Sequence, residues 1–141
     1  MSESKYFDGS TQFNFHHVGT LVPNIDNYLE DSFWEIIIPI VYDPIQKSRL
    51  CMVSIPQNHN HLVELIEPVG DDSPIYSALK KDQKLHHLCF ETQNCKIADE
   101  IIEKYRFLQV TDWQPAILFE QRPVRFVYSR YRELLEFLAN E

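Results

Sequence analysis

Phe15-His16-His17-Val18-Gly19-Thr20-Leu21-Val22 and Leu85-His86-His87-Leu88-Cys89-Phe90-Glu91-Thr92 are two copies of one pattern, and their relation decides the fold. Self-similarity at long spacing marks duplicated supersecondary units. In each copy an asparagine, Asn24 or Asn94, follows the second histidine by seven positions and opens a helical pattern. Both read as N-caps, whose side-chain oxygen accepts an otherwise unpaired N–H of the first turn. The first helix groups Ile25, Tyr28, Leu29 and Phe33 on one side; the second groups Ile97, Ala98, Ile101, Ile102 and Tyr105. Each copy also closes alike, with Leu62-Val63-Glu64-Leu65-Ile66 and Leu134-Leu135-Glu136-Phe137-Leu138. His17 to Glu64 is 47 residues and His87 to Glu136 is 49, so a histidine and a glutamate recur in one order at nearly one spacing.

Between helix and glutamate each copy has room for strands. The first reads as Glu35–Tyr42, Arg49–Pro56 and His61–Glu67, with Gln57-Asn58-His59-Asn60 as hairpin turn. The second reads as Phe107–Trp113, Arg122–Ser129 and Arg132–Leu138. The expectation is an α+β fold of two tandem βαβββ modules, 13–68 and 85–141. A flexible tail, 1–12, precedes them, and a connecting helix and linker, 69–84, joins them. Asp72-Ser73-Pro74 starts that helix, with proline near the first turn, and it runs to about Lys81.

Strand alternation puts Leu62, Glu64 and Ile66 on one face, and Leu134, Glu136 and Leu138 on one face. Each glutamate thus sits between apolar neighbours on a core side. An unpaired carboxylate there costs several kcal/mol or stays protonated. A divalent cation removes that cost, and imidazole with carboxylate is a suitable ligand set. Two modules packed with pseudo-twofold symmetry would bring His17, Glu64, His87 and Glu136 to one ion, leaving positions open for water or substrate.

Plainer readings compete. A lone strand histidine is more often a hydrogen-bonded core residue than a ligand. Arg132–Leu138, rich in helix formers, reads locally as an amphipathic helix; only the repeat argues for a strand. His16 and His86 face away from the proposed ligands, His59 and His61 flank a solvated turn, and Cys89 reads as a small buried hydrophobe. Trp34, Trp113 and the tyrosines fit aromatic core packing.

A net charge of −8 and a pI near 5.2 argue against nucleic acid as partner, since phosphate backbones call for surplus Lys and Arg. Hydrophobic residues at 44% suffice for a core, while no apolar run approaches a membrane span and Pro39 breaks the longest. The polar stretch before Phe13 lacks the apolar region of a secretory signal, and three cysteines without CxxC spacing suit reduced thiols. A cytoplasmic protein, forming a homodimer, is the expectation. Arg122, Arg125, Arg130 and Arg132 cluster in this acidic chain; Arg122 and Arg125 are candidates for holding a substrate carboxylate or a coenzyme A phosphate. A solvated face balancing nearby acids is the alternative.

With these residues assembled, the chain resembles the glyoxalase and vicinal-oxygen-chelate superfamily, in its methylmalonyl-CoA epimerase-like branch. The resemblance spans Phe13 to Leu138. It rests on His16-His17-Val18-Gly19, Val22-Pro23-Asn24-Ile25-Asp26, Val63-Glu64-Leu65-Ile66-Glu67-Pro68, Asp72-Ser73-Pro74-Ile75, Leu85-His86-His87-Leu88-Cys89-Phe90-Glu91 and Leu134-Leu135-Glu136. It implies paired βαβββ modules in a cupped mixed sheet around one divalent ion, of the glyoxalase/bleomycin-resistance type. It further implies His17, Glu64, His87 and Glu136 as ligands, with Glu136 also moving the proton. Some members carry another carboxylate on the strand before that of Glu64, where this chain has Leu50-Cys51-Met52-Val53. A glycine-containing turn common before the last strand is replaced by Ser129-Arg130-Tyr131-Arg132.

The implied activity is epimerisation or isomerisation of an acyl-CoA or related thioester through an enolate-like intermediate, helped by Zn, Mn, Co, Ni, Fe or Mg. A glyoxalase-type lyase shares the ligands and the enolate chemistry. Ring-cleaving iron dioxygenases prefer two histidines and one carboxylate. A metal-free binding module of the same fold would have no need of the four residues.

Overall fold

The computed structural model describes residues 13–141; the expected tail, 1–12, lies outside them. The chain divides into two compact units, one of His17–His86, the other of His87–Glu141 together with the strand start up to His16.

The first unit holds β1 (Phe13–Leu21) from His17 onward, then α1 (Ile25–Leu29), β2 (Glu35–Asp43), β3 (Ser48–Ile55), β4 (Asn58–Pro68) and α2 (Tyr76–Lys80). The strand order is β2-β3-β4-β1, antiparallel except that β1 runs parallel to β4. Asn24 caps α1 as expected: its Oδ1 accepts the N–H of Asn27 at 2.8 Å. A carboxylate oxygen of Glu67 accepts the Ile25 N–H at 2.8 Å and also meets Arg49, tying the helix start to β4. Val22, Ile25, Cys51, Val53 and Leu65 form the core, with Trp34 packed against it. Pro39 is accommodated because, among the described residues, β2 pairs only with β3 and is bulged near Ile38.

Two expectations fail here. The first helix stops at Leu29, since Glu30 has extended geometry and Asp31 takes a left-handed conformation; Phe33 therefore lies outside it, exposed, and Trp34 reaches the core instead. The β3–β4 hairpin turns at Pro56-Gln57, not over 57–60. Proline fixes one φ and Gln57 adopts φ +67°, so Ile55 already pairs with Asn58.

The second unit holds β5 (Leu85–Thr92) from His87 onward, then α3 (Cys95–Lys104), β6 (Leu108–Gln109), β7 (Gln114–Ala116), a 3-10 turn (Ile117–Phe119), β8 (Arg122–Tyr128) and β9 (Leu134–Ala139). Its order, β5-β9-β8-β6 with β7 also on β8, reproduces the first unit's, and β5 is parallel to β9 as β1 is to β4. Asn94 caps α3 by accepting the Ile97 N–H at 2.9 Å. The helix buries Ala98, Ile101 and Ile102 against Val127, Leu135 and Phe137. Tyr105, expected on that face, is instead the C-cap and exposed.

The expected strand over 107–113 is interrupted. The Thr111 hydroxyl accepts the N–H of Phe126, and the N–H groups of Val110 and Thr111 both donate to the Phe126 carbonyl. A side chain thus stands in for a ladder rung, and pairing resumes only at Gln114 against Val124. The helix-prone C-terminal stretch is strand, as the repeat argued. It begins at Leu134 because Arg132 has φ +66° in the preceding turn. Two neighbouring strands then take up β9's backbone groups, and that pairing outweighs local propensity.

The fold is thus α+β, built of two modules with the βαβββ plan, the second carrying one extra short strand.

Candidate functional site

The β1–β4 register places Gly19 opposite Glu64. His17 stands two residues ahead of that pairing on the same strand face. Its Nε2 lies 3.0 Å from Oε1 of Glu64, with Nε2–H donating when that nitrogen carries the proton. β5 and β9 repeat this step for step. Cys89 is opposite Glu136, His87 stands two residues ahead, and Nε2 and Oε1 are 3.2 Å apart. Each module therefore makes the same imidazole–carboxylate pair in the same register. All four side chains are buried, with exposures of 0% for His17, 4% for Glu64, 3% for His87 and 4% for Glu136.

The other neighbour of each glutamate is also equivalent. Met52 on β3 pairs with Glu64, and Phe126 on β8 pairs with Glu136. Each carboxylate thus has a small residue on one side, Gly19 or Cys89, and a large apolar one on the other. The Phe126 ring meets the His87 imidazole edge-on at 5.4 Å. Sequence reading missed Met52, Phe126 and the role of Gly19, because only strand register reveals them.

Within each unit the separations suit metal ligation. Two donors each about 2.0–2.2 Å from one ion lie about 2.8–3.6 Å apart for angles between octahedral and tetrahedral. The 3.0 and 3.2 Å distances fall in that range. Neutral imidazole with carboxylate is the donor chemistry of borderline divalent ions, so the residues present fit such a group.

His16 is half-buried, its ring edge-on to Phe119 at 5.3 Å, and His86 is half-buried too. His59 and His61 are exposed, with His59 3.2 Å from Glu35. Cys51 and Cys89 are buried and Cys95 is half-buried, and none of the three is in a disulfide. Burial, then the nearby Asp26 charge, pushes the Cys51 thiol up to about 11.

The arginine cluster divides. Arg122 binds Glu91 and the Ala139 carbonyl. Arg125 binds Asp99 at 2.7 Å and the Thr111 carbonyl, beneath the Trp113 ring. A substrate anion at either would have to displace an internal acid. Arg130 and Arg132 lie in the exposed β8–β9 turn.

No family model matches the chain. It is 26% identical over 120 residues to the mitochondrial methylmalonyl-CoA epimerase of Mus musculus, covering 82% of this chain and 65% of that protein. The chain thus spans slightly less than two thirds of the mouse relative's length. It is 24% identical over 121 residues to an ethylmalonyl-CoA/methylmalonyl-CoA epimerase of Cereibacter sphaeroides, covering 82% and 87%. Among solved structures, a variant of the Streptomyces coelicolor methylmalonyl-CoA epimerase in complex with 2-nitronate-propionyl-CoA superimposes with a TM-score of 0.74 at 20% identity, covering 90% and 94%. The resemblance expected from the duplicated His-His pattern holds in both sequence and fold.

Proposed function

We propose, from this resemblance and from the twin imidazole–carboxylate pairs, that the chain is a divalent-metal-dependent epimerase or isomerase of an acyl-CoA thioester. His17, Glu64, His87 and Glu136 would together hold one ion. The observation that carries the reading is the identical register of the two pairs, one per module, each buried and each at ligand-to-ligand separation. A buried carboxylate is costly unless something positive joins it, and a bound divalent ion would serve both pairs. Both copies keep the imidazole and the carboxylate in this arrangement, which supports a shared ligand role.

Bound there, a divalent cation supplies positive charge to offset what develops on a thioester carbonyl oxygen as the α-proton leaves. The chain's own groups do the rest. The Glu136 carboxylate takes the α-proton, the C–H electron pair moves into the enolate, and the proton then returns to carbon. Phe126 and Met52, beside the two glutamates, keep the surroundings apolar and exclude competing water. His87, braced by the Phe126 ring edge, fixes the carboxylate's position.

One observation favours a second reading. β3 runs along Glu64 without a single acid, reading Ser48-Arg49-Leu50-Cys51-Met52-Val53-Ser54-Ile55. Inversion needs a proton donor on each face of the enolate, whereas a lyase or isomerase of the glyoxalase type needs one base. The two readings share the metal, the base and the first step.

The test is elemental analysis of purified protein together with α-proton exchange of methylmalonyl-CoA and ethylmalonyl-CoA in D2O, read by mass spectrometry. About one divalent ion per chain, and exchange abolished by chelation and by Glu136→Gln, are expected. Deuterium gain with inversion supports the epimerase, and gain without inversion the one-base reading. Metal-free protein whose melting temperature ignores added divalent ions would leave a binding module instead.

A further inference from the structure

We infer that a cationic cleft in the C-terminal unit binds the adenine nucleotide end of the coenzyme A substrate through Arg106, Arg130 and Arg132. The cleft has a volume of about 540 Å³ and is lined by these three arginines with Leu108, Tyr128 and Ser129. Their situation is opposite to that of Arg122 and Arg125, which are committed to Glu91 and to Asp99 and Asp112. Among the described residues, Arg106, Arg130 and Arg132 have no carboxylate within ion-pair distance. The acid nearest in sequence, Glu133, is held 2.8 Å from the Ser129 hydroxyl.

Three unpaired guanidinium groups around one opening, in a chain of net charge −8, repel one another unless an anion joins them. Guanidinium forks match phosphate oxygens two by two. The other wall is apolar and aromatic. Leu108 and Tyr128 pair directly across β6 and β8, so their side chains share a face, and both are exposed, at 68% and 38%. Cations on one side and a ring with a leucine on the other suit a nucleotide with several phosphates; an inorganic anion would leave the second wall unused.

Position ties this cleft to the proposed chemistry. Tyr128 follows Phe126 by two residues on β8 and so shares its face, and Phe126 is the register partner of Glu136. The nucleotide wall therefore begins about 7 Å along the strand from the proposed base, and Arg130, in the turn beyond, stands at most about 13 Å from Phe126. The pantetheine arm, equivalent to four or five extended residues, spans about 15 Å. A thioester at Glu136 would thus set its phosphates among Arg106, Arg130 and Arg132. This deepens the acyl-CoA reading and rests on it.

The experiment is calorimetric titration of the full chain, in EDTA, with adenosine 3′,5′-bisphosphate, adenosine and pyrophosphate, against the Arg106→Glu/Arg130→Glu variant. An unchanged melting temperature verifies that the variant is folded. The bisphosphate is expected to bind wild type, to weaken at least tenfold in the variant and with added salt, and to bind more tightly than either adenosine or pyrophosphate. For the acyl-CoA, KM should rise in the variant with kcat unchanged, while exchange of a pantetheine-only thioester should be unaffected. Equal nucleotide affinity in both proteins, or pyrophosphate binding as tight as the nucleotide, overturns the inference. Nucleotide binding that meets these expectations without any α-proton exchange sinks the epimerase reading and leaves the cleft standing; exchange without nucleotide binding does the reverse.

Discussion

Replacing Phe137 by alanine probes the face assignment of the last strand, on which Glu136 depends. Adjacent residues of a strand point to opposite faces, so Phe137 must face α3 if Glu136 faces the imidazole of His87. The ring is 1% exposed and packs with Ala98, Ile101, Ile102, Val127 and Leu135, near Phe90 and Phe107 at 6.1 and 6.4 Å. Truncating a fully buried phenylalanine removes its transfer free energy and leaves a cavity, together about 3–5 kcal/mol. Total stability for a domain of this size is about 5–15 kcal/mol, so the variant would be folded but fragile. With a urea slope of about 2 kcal/mol per molar, the midpoint should fall by about 1.5–2.5 M. Phe33→Ala serves as control: that ring is 66% exposed, and its loss should move the midpoint by less than about 0.5 M. Similar small shifts for both variants would mean that β9 presents its other face to α3, and Glu136 would then lose its assigned place.

Other outcomes follow from the same geometry. His17→Ala and His87→Ala should each weaken divalent-metal binding by at least tenfold in a competition titration, whereas His16→Ala, whose ring lies against Phe119, should change it little. Asn94→Ala should cost about 1 kcal/mol in urea unfolding, because the Ile97 N–H loses its acceptor. Native Cys51 should resist thiol reagents at pH 8 and label readily once urea unfolds the chain; fast native labelling would contradict its burial. Since its folded pKa of about 11 exceeds the ordinary thiol value, the unfolded state sheds that proton first. The Cys51 contribution to stability should therefore decline from about pH 9 to 11, as followed by urea midpoints across that range.

The duplicated elements were legible because one chain states them twice. Asn24 and Asn94 mark both helix starts, and the flanking pattern of Glu136 carries the strand assignment of a segment whose propensity reads as helix. Features without a counterpart in the other copy were not legible. The Thr111 hydroxyl displaces a backbone partner and splits the expected strand over 107–113, an event written in three-dimensional contact and not in alternation. Left-handed Asp31 and Gln57 end a helix and tighten a hairpin, although neither residue announces that geometry as a glycine would. The four clustered arginines of the C-terminal stretch look equivalent as letters. Only pairing with Glu91 and Asp99 separates two that are spent from two that are open, and only the fold adds Arg106 to the latter.

The parallel pairings of β1 with β4 and of β5 with β9 also have a kinetic consequence. Each joins the opening and closing strands of a module, bringing together His17 and Glu64, or His87 and Glu136, from nearly fifty positions apart. Such non-local contacts form slowly, after the intervening hairpins have shortened the chain to be closed. A nascent or partly folded molecule therefore holds each imidazole far from its carboxylate until that last pairing closes the module.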